Sequence, residues 1–482
     1  MVILFSDFRP VGSFYNLVFF LLTCIFLPFA DRWGPAKSFA AFSSALPAQC
    51  YGAIDARDNS DNYSFFAFTT TSMHKYDDAT LGWEDVTPTA GATNLPNGEI
   101  WSATTYGREY VVATNENDGP QVYQLGTSTD FAALTGSPPA AKYVMELGEY
   151  LVLLHLNSDS HGLQWSGIGD ITKWTIGRDG SNNQTFPSGG PIMGAVPQER
   201  GAFIIQQDVI RQMVFTPNGP YAFMFQMANA SRGCVAPASI VQAAGTFFYL
   251  DEDGFYMGVE GTPIGAEFVN RYFLATADEN FLSEVQGAND PANKIVWWRY
   301  RKTDGTYEML GFDWQLQRWC KLDENVNFLI NVHSPGYTLE GLSNISNSLD
   351  ALPYSLDSRV WKGGRPAFGA FNSSHQFGYF EGPNLAATLD TAQVALSGNS
   401  RRSTLRELRF ITDADTHTAK IAKYAKHGDA TSFGNSISPQ VSGAVKCRSN
   451  GRLHKIRLEI PAGEVWTHAH AVAPGFRRAG RR

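Results

Sequence analysis

The segments Tyr76–Val86, YDDATLGWEDV, and Phe312–Leu322, FDWQLQRWCKL, follow one pattern of residues. In each, an aromatic residue and Asp precede four residues, a pair that ends in Trp, two further residues and an aliphatic residue. A looser copy, one residue longer, occupies Tyr123–Leu134. The pattern predicts a hairpin whose returning strand carries an aromatic ring, Trp83 or Trp319, into a buried core. Chance similarity among aromatic-rich hairpins stays open as the alternative.

Short strand-like segments surround these hairpins. Each has four to eight residues rich in β-branched and aromatic side chains, and Gly, Asn, Asp or Pro bounds it. Examples are YSFFAFT from Tyr63, EYVVAT from Glu109, YLVLLH from Tyr150, GAFIIQ from Gly201, TFFYL from Thr246 and KIVWWRY from Lys294. The best helical candidate, HTAKIAKYAKHG from His417, is short and would also suit an extended arm.

The strands group into sets that recur at roughly 42 to 53 residues. The sets begin near Pro47, Ile100, Lys142, Gly190, Ser239, Glu284 and Phe328. Four strands in each unit of this length are typical of β-propeller blades. The sequence therefore predicts an all-β protein with three parts: an N-terminal segment, 1–45, a β-propeller, 46–372, and a β-rich C-terminal domain, 373–482.

Composition agrees with a folded, β-rich chain. Of the 482 residues, 43% are hydrophobic and 13% aromatic, while only 17% are charged. This hydrophobic content excludes a disordered body, and the aromatic content suits pleated sheets.

Charge is distributed unevenly along the chain. Residues 401–482 contain 16 Lys and Arg against 6 Asp and Glu, a balance of +10, and residues 1–400 have a balance of −18. One interpretation is a solvated acidic surface with a basic terminal region. The other is an assembly component whose basic end contacts another subunit or protein.

Sequence motifs for chemistry are scarce. The five cysteines form no CxxC pair, and no GxSxG, HExxH or Walker-type phosphate loop occurs. Asp251–Gly254 resembles part of a calcium loop, but Tyr249 stands where the first Asp ligand is needed, and strand-like segments flank it. A hairpin turn with Gly254 at positive φ is the preferred interpretation. We therefore expect no catalysis and no cofactor or metal.

An uncharged hydrophobic run extends from Phe14 to Ala30. Its 17 residues are at the short limit for a membrane span and also suit the core of a signal peptide. The alternative is a buried or wrongly assigned leader.

The segment Leu163–Gly265 resembles the tail nozzle, or tail hub, proteins of short-tailed bacteriophages, which include packaged-DNA stabilisation proteins. The matching features are Trp165, Ser166, Asp170 and Trp174, then Gly189–Ile192, Met213–Phe215, Gly233–Pro237, Asp253–Tyr256 and Pro263–Gly265. Weaker similarity extends the match from about residue 38 to the C-terminus, through Leu46–Ala48, Gly52, Ala53, Gly451, Arg452, Pro461–Gly463 and Trp466–Ala469. The first thirty residues depart from the family, whose N-terminal stretch is polar.

The resemblance implies a structural subunit of the virion tail. Such a subunit would form a ring, a homo-hexamer, below the portal adaptor and would carry tail fibres or spikes and a needle or plug. The ring would continue the DNA channel, retain packaged double-stranded DNA and conduct it at ejection without sequence-specific binding. The alternative function is a secreted or surface β-propeller that binds or hydrolyses carbohydrate, with carboxylates converging in its funnel.

Two groups of residues follow as candidates. We expect four tryptophans in the structural core: Trp83, Trp165, Trp174 and Trp319. We expect the terminal arginines to contact a neighbouring subunit or the adaptor, with a flexible tail as the alternative: Arg477, Arg478, Arg481 and Arg482.

Overall fold

A computed structural model gives the architecture of the chain. It describes residues 3–4, 24–27, 32–91, 93–217, 221–334, 336–337, 342, 346, 348, 352, 356, 358, 361, 363–364, 366–398 and 401–480.

Seven four-stranded antiparallel sheets form the blades of a β-propeller. Blade 1 contains β5 (Gly52–Arg57), β6 (Tyr63–Phe68), β7 (Met73–Asp77) and β8 (Gly82–Asp85). Blade 2 contains β9 (Ser102–Tyr106), β10 (Tyr110–Thr114), β11 (Gln121–Gln124) and β12 (Ala132–Ala133). Blade 3 contains β13 (Ala141–Leu147), β14 (Tyr150–Leu156), β15 (Asp159–Trp165) and β16 (Asn182–Thr185). Blade 4 contains β17 (Ile192–Gln198), β18 (Gly201–Gln206), β19 (Ile210–Phe215) and β20 (Phe223–Asn229).

The remaining three blades follow the same plan. Blade 5 contains β21 (Val241–Ala243), β22 (Thr246–Asp251), β23 (Gly254–Met257) and β24 (Thr262–Pro263). Blade 6 contains β25 (Gln286–Asp290), β26 (Ile295–Arg301), β27 (Tyr307–Asp313) and β28 (Arg318–Leu322). Blade 7 contains β29 (Val326–His333), β30 (Pro366–Asn372), β31 (Gln376–Tyr379) and β4 (Ala40–Ala45).

The first strand of each blade faces the propeller axis. The first strands contact one another from blade 1 to blade 4 and from blade 5 to blade 7, and β29 contacts β5, which closes the ring. Blades 4 and 5 are joined by a buried cluster that includes Val196 and Phe247. The sheets therefore stack face to face around the axis, and most of the hydrophobic core lies between blades.

This stacking explains why the second strands are apolar along their whole length. A second strand has a neighbouring strand on each side and a neighbouring blade against each face of its sheet. The side chains on both faces are therefore buried. In β14 every residue except His155 is buried, and β26 is buried from Ile295 to Tyr300. The six strand-like segments quoted from the sequence are the second strands of blades 1 to 6.

An N-terminal strand completes blade 7. β4 pairs with β31 in the outermost position, so the propeller extends from 40 to 379 rather than over 46–372. This closure joins segments far apart in sequence, which a local residue pattern does not indicate.

The C-terminal domain is a two-sheet sandwich. Its larger sheet contains β1 (Ile3–Leu4), β2 (Cys24–Leu27), β3 (Arg32–Pro35), β33 (Ser403–Thr412), β35 (Ala444–Gly451) and β37 (Ala469–Arg478). Its smaller sheet contains β32 (Ala387–Asp390), β34 (Thr418–Tyr424) and β36 (Leu453–Ile460). The described strands β1, β2 and β3 thus join this domain in space, and the His417 segment is a strand rather than a helix.

The domain and the propeller share one buried cluster. Trp297 and Phe368 of blades 6 and 7 belong to it, together with Leu458 and Trp466 of the C-terminal domain and Trp33 of β3. An α-helix, α1 (Ala266–Thr276), and two 3-10 helices, Pro237–Ser239 and Glu279–Glu284, lie in connections near blades 5 and 6.

Candidate functional site

The repeated hairpin places Trp83 and Trp319 in equivalent positions. Trp83 is opposite Tyr76 in blade 1, and Trp319 is opposite Phe312 in blade 6. Each indole packs on the preceding blade: Trp83 lies 5.8 Å from Phe371, and Trp319 lies 5.2 Å from Phe255, measured between ring centroids.

The indole N–H groups have equivalent partners as well. Trp83 Nε1 donates to the Ser44 carbonyl at 3.1 Å, and Trp319 Nε1 donates to the Ile264 carbonyl at 2.8 Å. Ser44 lies in the outer strand of blade 7, and Ile264 follows the outer strand of blade 5. Trp319 is 2% exposed, whereas Trp83 is only partly buried. The repeat therefore marks a joint between blades.

The looser copy in Tyr123–Leu134 makes the same kind of joint. The Phe131 ring is buried 5.5 Å from Phe66 and 5.8 Å from Phe68 of blade 1. Its backbone N–H donates to the Val86 carbonyl at 2.9 Å, which ties blade 2 to the end of blade 1.

Trp165 and Trp174 are also buried between blades. The Trp165 ring lies 5.2 Å from Phe223 of blade 4, and its Nε1 donates to the Gly180 carbonyl at 2.9 Å. Trp174 packs in the core between blades 2 and 3, and its Nε1 donates to the Ile171 carbonyl at 2.6 Å. All four candidate tryptophans therefore have structural positions.

Two glycines of the segment that resembles nozzle proteins lie where no side chain fits. A Cβ at Gly233 would be 2.0 Å from the Gln207 carbonyl oxygen, at the joint of blades 4 and 5. Gly254 has φ of +140° in the turn between β22 and β23, so the expected hairpin, and not a calcium loop, is present at Asp251–Gly254. The segment Leu163–Gly265 extends from blade 3 through blade 5 and includes both joints between them.

A charged cluster lies at one end of blades 2 and 3. Lys142 Nζ is 2.5 Å from Glu99 Oε1 and 3.7 Å from Glu116 Oε2. Burial raises the pKa of Glu99, and a hydrogen bond from Glu99 lowers the pKa of Glu116. Glycosidases hold their two carboxyl groups about 5–10 Å apart. Here both glutamates contact the Lys142 ammonium and form an ion-paired link between blades.

A polar groove of about 690 Å³ opens at the other end of the propeller, beside blades 1, 2 and 7. His333 Nδ1 lies 2.9 Å from Asp55 Oδ2, and this hydrogen bond raises the pKa of His333. Arg108 pairs with Asp61 at 2.9 Å in the same groove. The cations of the groove are thus matched by carboxylates, and the His333–Asp55 pair joins blade 7 to blade 1.

The C-terminal arginines begin within a sheet. Arg477 and Arg478 are the last residues of β37, opposite Thr404 and Ser403, and their side chains are exposed. Arg481 and Arg482 lie outside the described residues. Contact of these arginines with a neighbouring subunit or the adaptor stays a prediction. At 477–478 the arginines belong to a strand and not to a flexible tail.

The remaining sites can be reported briefly. In the part of the chain that the structure describes, no group of three or more His, Cys, Asp or Glu is arranged to hold a metal ion. Of the hydrophobic run Phe14–Ala30, only Cys24–Leu27 is described, as β2. Among the described helices, none is long and apolar enough to cross a bilayer.

Comparisons with known proteins show no matching family model and no matching curated protein. Solved structures match at low similarity. An extracellular domain of a proposed hybrid two-component system from B. thetaiotaomicron is 10% identical, with a TM-score of 0.40, over 84% of this chain and 48% of that one. The chain thus spans about half the length of that protein.

Two further solved structures are similar at the same level. A functionally unknown protein from Desulfotomaculum acetoxidans is 11% identical, with a TM-score of 0.35, over 62% of this chain and 95% of that chain. A puromycin-hydrolysing peptidase from Mycobacterium tuberculosis is 11% identical, with a TM-score of 0.36, over 69% of this chain and 51% of that chain. TM-scores this low carry no argument about function.

Proposed function

We propose that the chain is a structural subunit of a phage tail nozzle. In this role it forms a ring, a homo-hexamer, beneath the portal adaptor and continues the DNA channel of the virion. The ring retains packaged double-stranded DNA, conducts it at ejection without reading its sequence, and carries fibres or spikes and a needle or plug. The subunit performs no catalysis.

The observation that carries this proposal is where the resembling residues lie. The features that resemble nozzle proteins between Leu163 and Gly265 include Trp165 at the joint of blades 3 and 4, Gly233 at the joint of blades 4 and 5, and Trp174 between blades 2 and 3. These residues determine how the blades fit together rather than a reacting centre. The similarity is therefore to a scaffold, which is the part that a nozzle subunit contributes.

Rigidity of the subunit supports the same role. The cluster shared by blades 6 and 7 and the C-terminal sandwich is continuous across the joint between the two parts. A nozzle that withstands packaged DNA needs its domains to move as one body, and a shared apolar core resists relative motion of domains more than a polar contact does.

The proposal is tested in particles of the phage that encodes this chain. A reconstruction should place a ring of seven-bladed propellers between the portal adaptor and the tail tip. Absence of the chain from purified particles, or its presence only in fibres, contradicts the proposal.

A second test concerns DNA retention. Particles assembled without the chain should package DNA and then lose it to added nuclease, because the channel stays open. Supplying the wild-type chain in trans should restore protection. Particles that keep their DNA without the chain show that another protein closes the channel.

A further inference from the structure

The outer strands of the blades differ in how their edges are protected. An unpaired edge can add a strand from another molecule, and proteins prevent this with short strands, proline, charge or a covering segment. β12 and β24 have two residues each, and β24 ends at Pro263. β16 has four residues, and β8 presents exposed Glu84 and Asp85.

Two further outer strands are covered. β28 is contacted by β2 of the N-terminal hairpin. β4 is bonded to blade 1, where the Ser44 N–H donates to the Leu81 carbonyl at 2.8 Å. Six of the seven outer strands are therefore short, charged or covered.

β20 of blade 4 has none of these protections. It has seven residues, and within the described residues it pairs with β19 alone. Met224 is 62% exposed, Met227 is 49% exposed and Tyr221, just before the strand, is 61% exposed. No Asp, Glu, Lys or Arg occurs from 212 to 231. Such a long, apolar, uncharged edge is typical of a site that another strand covers.

We propose that β20 is a contact between copies of this chain and that its occupant is the β35 edge of the next copy. This inference rests on the proposed ring, because a cyclic ring larger than a dimer needs two different surfaces on each subunit. The C-terminal domain packs on blades 6 and 7 and not on blade 4 in this cluster, so β20 and β35 are two separate surfaces of the subunit.

The β35 edge fits this role in length and exposure. It has eight residues at the end of the larger C-terminal sheet, and in the described part of the chain it pairs with β33 alone. Lys446 and Arg448 are exposed on it. Lys446 pairs with Glu407 of β33, which also pairs with Arg409, so three cations stand against one carboxylate and the edge is basic. Two β35 strands would bring like charges together, whereas an uncharged β20 strand accepts β35 without repulsion, which favours unlike pairing.

Charge complementarity at the end of β20 selects the same occupant. Asn229 Nδ2 donates to the Val259 carbonyl at 2.8 Å, which places exposed Glu260 beside the last residue of the strand. Glu252 and Asp253 are exposed in the neighbouring turn of blade 5. Arg232 pairs with Asp253 at 3.0 Å and with Asp251 at 3.1 Å, and the carboxylates at this end still outnumber it. The C-terminal residues 401–482 have a balance of +10, so an acidic end of one edge meets the basic edge of the next copy.

The contact is tested with two variants of the purified full chain. Met224→Lys with Met227→Lys blocks the β20 edge, and Lys446→Glu with Arg448→Glu reverses the charge of the β35 edge. Ile176→Lys, an exposed apolar residue of a blade 3 connection, is the matched control. Sedimentation velocity over about a hundredfold range of concentration measures self-association, and unchanged far-UV circular dichroism verifies folding. Gln226→Lys replaces the β20 double variant if that variant fails to fold.

We expect the wild-type chain and the control to associate, and each blocked variant to associate at least about tenfold more weakly. An equimolar mixture of the two blocked variants should form dimers and nothing larger, because each variant keeps one intact edge. A wild-type chain that stays monomeric, a β20 variant that associates normally, or a mixture that stays monomeric overturns the proposal. Association through β20 by a chain absent from phage particles would refute the nozzle function and leave this contact standing.

Discussion

Replacing Trp319 by alanine removes a ring that is enclosed by the joint of blades 5 and 6. The indole lies 5.6 Å from Trp298, 5.2 Å from Phe312 and 5.2 Å from Phe255 between centroids. Truncation of a buried aromatic side chain costs about 3–5 kcal/mol. Losing the hydrogen bond to the Ile264 carbonyl adds about 1 kcal/mol, since that oxygen then lacks its partner. The expected loss in free energy of unfolding is about 4–6 kcal/mol.

Trp83→Ala is the matched control, because Trp83 has the same position in the repeat but is only partly buried. We expect a loss of about 2–3 kcal/mol there, since less area is removed from contact. Differential scanning calorimetry, with far-UV circular dichroism as a second probe, should place the Tm of Trp319→Ala roughly 5–15 °C below the wild type. Trp83→Ala should lie between the two.

Equal losses in free energy of unfolding in Trp319→Ala and Trp83→Ala would refute the argument that burial of the indole determines the loss. An unchanged Tm in Trp319→Ala would refute the burial of Trp319 itself. Trp319→Phe separates the two contributions, because it keeps most of the apolar contact and removes only the indole N–H.

Other predictions concern charge. His333→Asn should lower the Tm at about pH 5.5 and leave it unchanged at about pH 9. The reason is that the raised pKa of His333 contributes stability that is complete below the ordinary pKa of 6.5 and is lost as pH rises through the raised pKa. An equal effect on the Tm at both pH values contradicts this. Asp390 is 1% exposed and accepts hydrogen bonds from Arg457 at 2.7 and 2.9 Å. Asp390→Asn should lower the free energy of unfolding of the C-terminal domain by about 3–5 kcal/mol, and urea unfolding identical to that of the wild type contradicts this. Charge reversal at the four C-terminal arginines should weaken particle assembly most at low salt, where screening is least; normal assembly at low salt excludes docking, and equal loss at every salt concentration indicates a fold defect. In the assembled ring, side chains facing the axis should include more Asp and Glu than Lys and Arg, since cationic walls would grip DNA; a lumen lined by Lys or Arg contradicts this.

The blades could be predicted from the sequence because their second strands are buried on both faces. That burial requires continuous apolar segments such as YLVLLH and KIVWWRY, and these stand out without knowledge of their neighbours. The repeated Trp hairpin could also be predicted, because its residues recur with the same spacing in blades 1 and 6.

Elements that depend on distant partners could not be predicted in this way. Ala40–Ala45, AAFSSA, has no strand-like pattern and becomes a strand by pairing with β31. The segment from His417 has the Ala and Lys content of a helix, yet β36 holds it as β34. α1 was not anticipated, because its aromatic residues suit strands, and burial of Val269 and Phe273 against blade 5 stabilises it as a helix.

The candidate surfaces were harder to predict from the sequence than the fold. Glu99, Glu116 and Lys142 come from two blades, and sequence alone does not pair carboxylates across such distances. The β20 edge did leave a signal, the absence of charge from 212 to 231. That absence becomes informative only beside six other outer strands that are short, charged or covered.

Closure of the propeller by β4 has a consequence for folding of the protein during its synthesis on the ribosome. β4 is synthesised more than three hundred residues before its partner, β31. Pairing over such a separation slows folding, and the waiting strand is exposed to other nascent chains in the meantime. The ring therefore closes only after β31 has been synthesised, and fragments that stop before Gln376 should need chaperones more than a chain that includes β31.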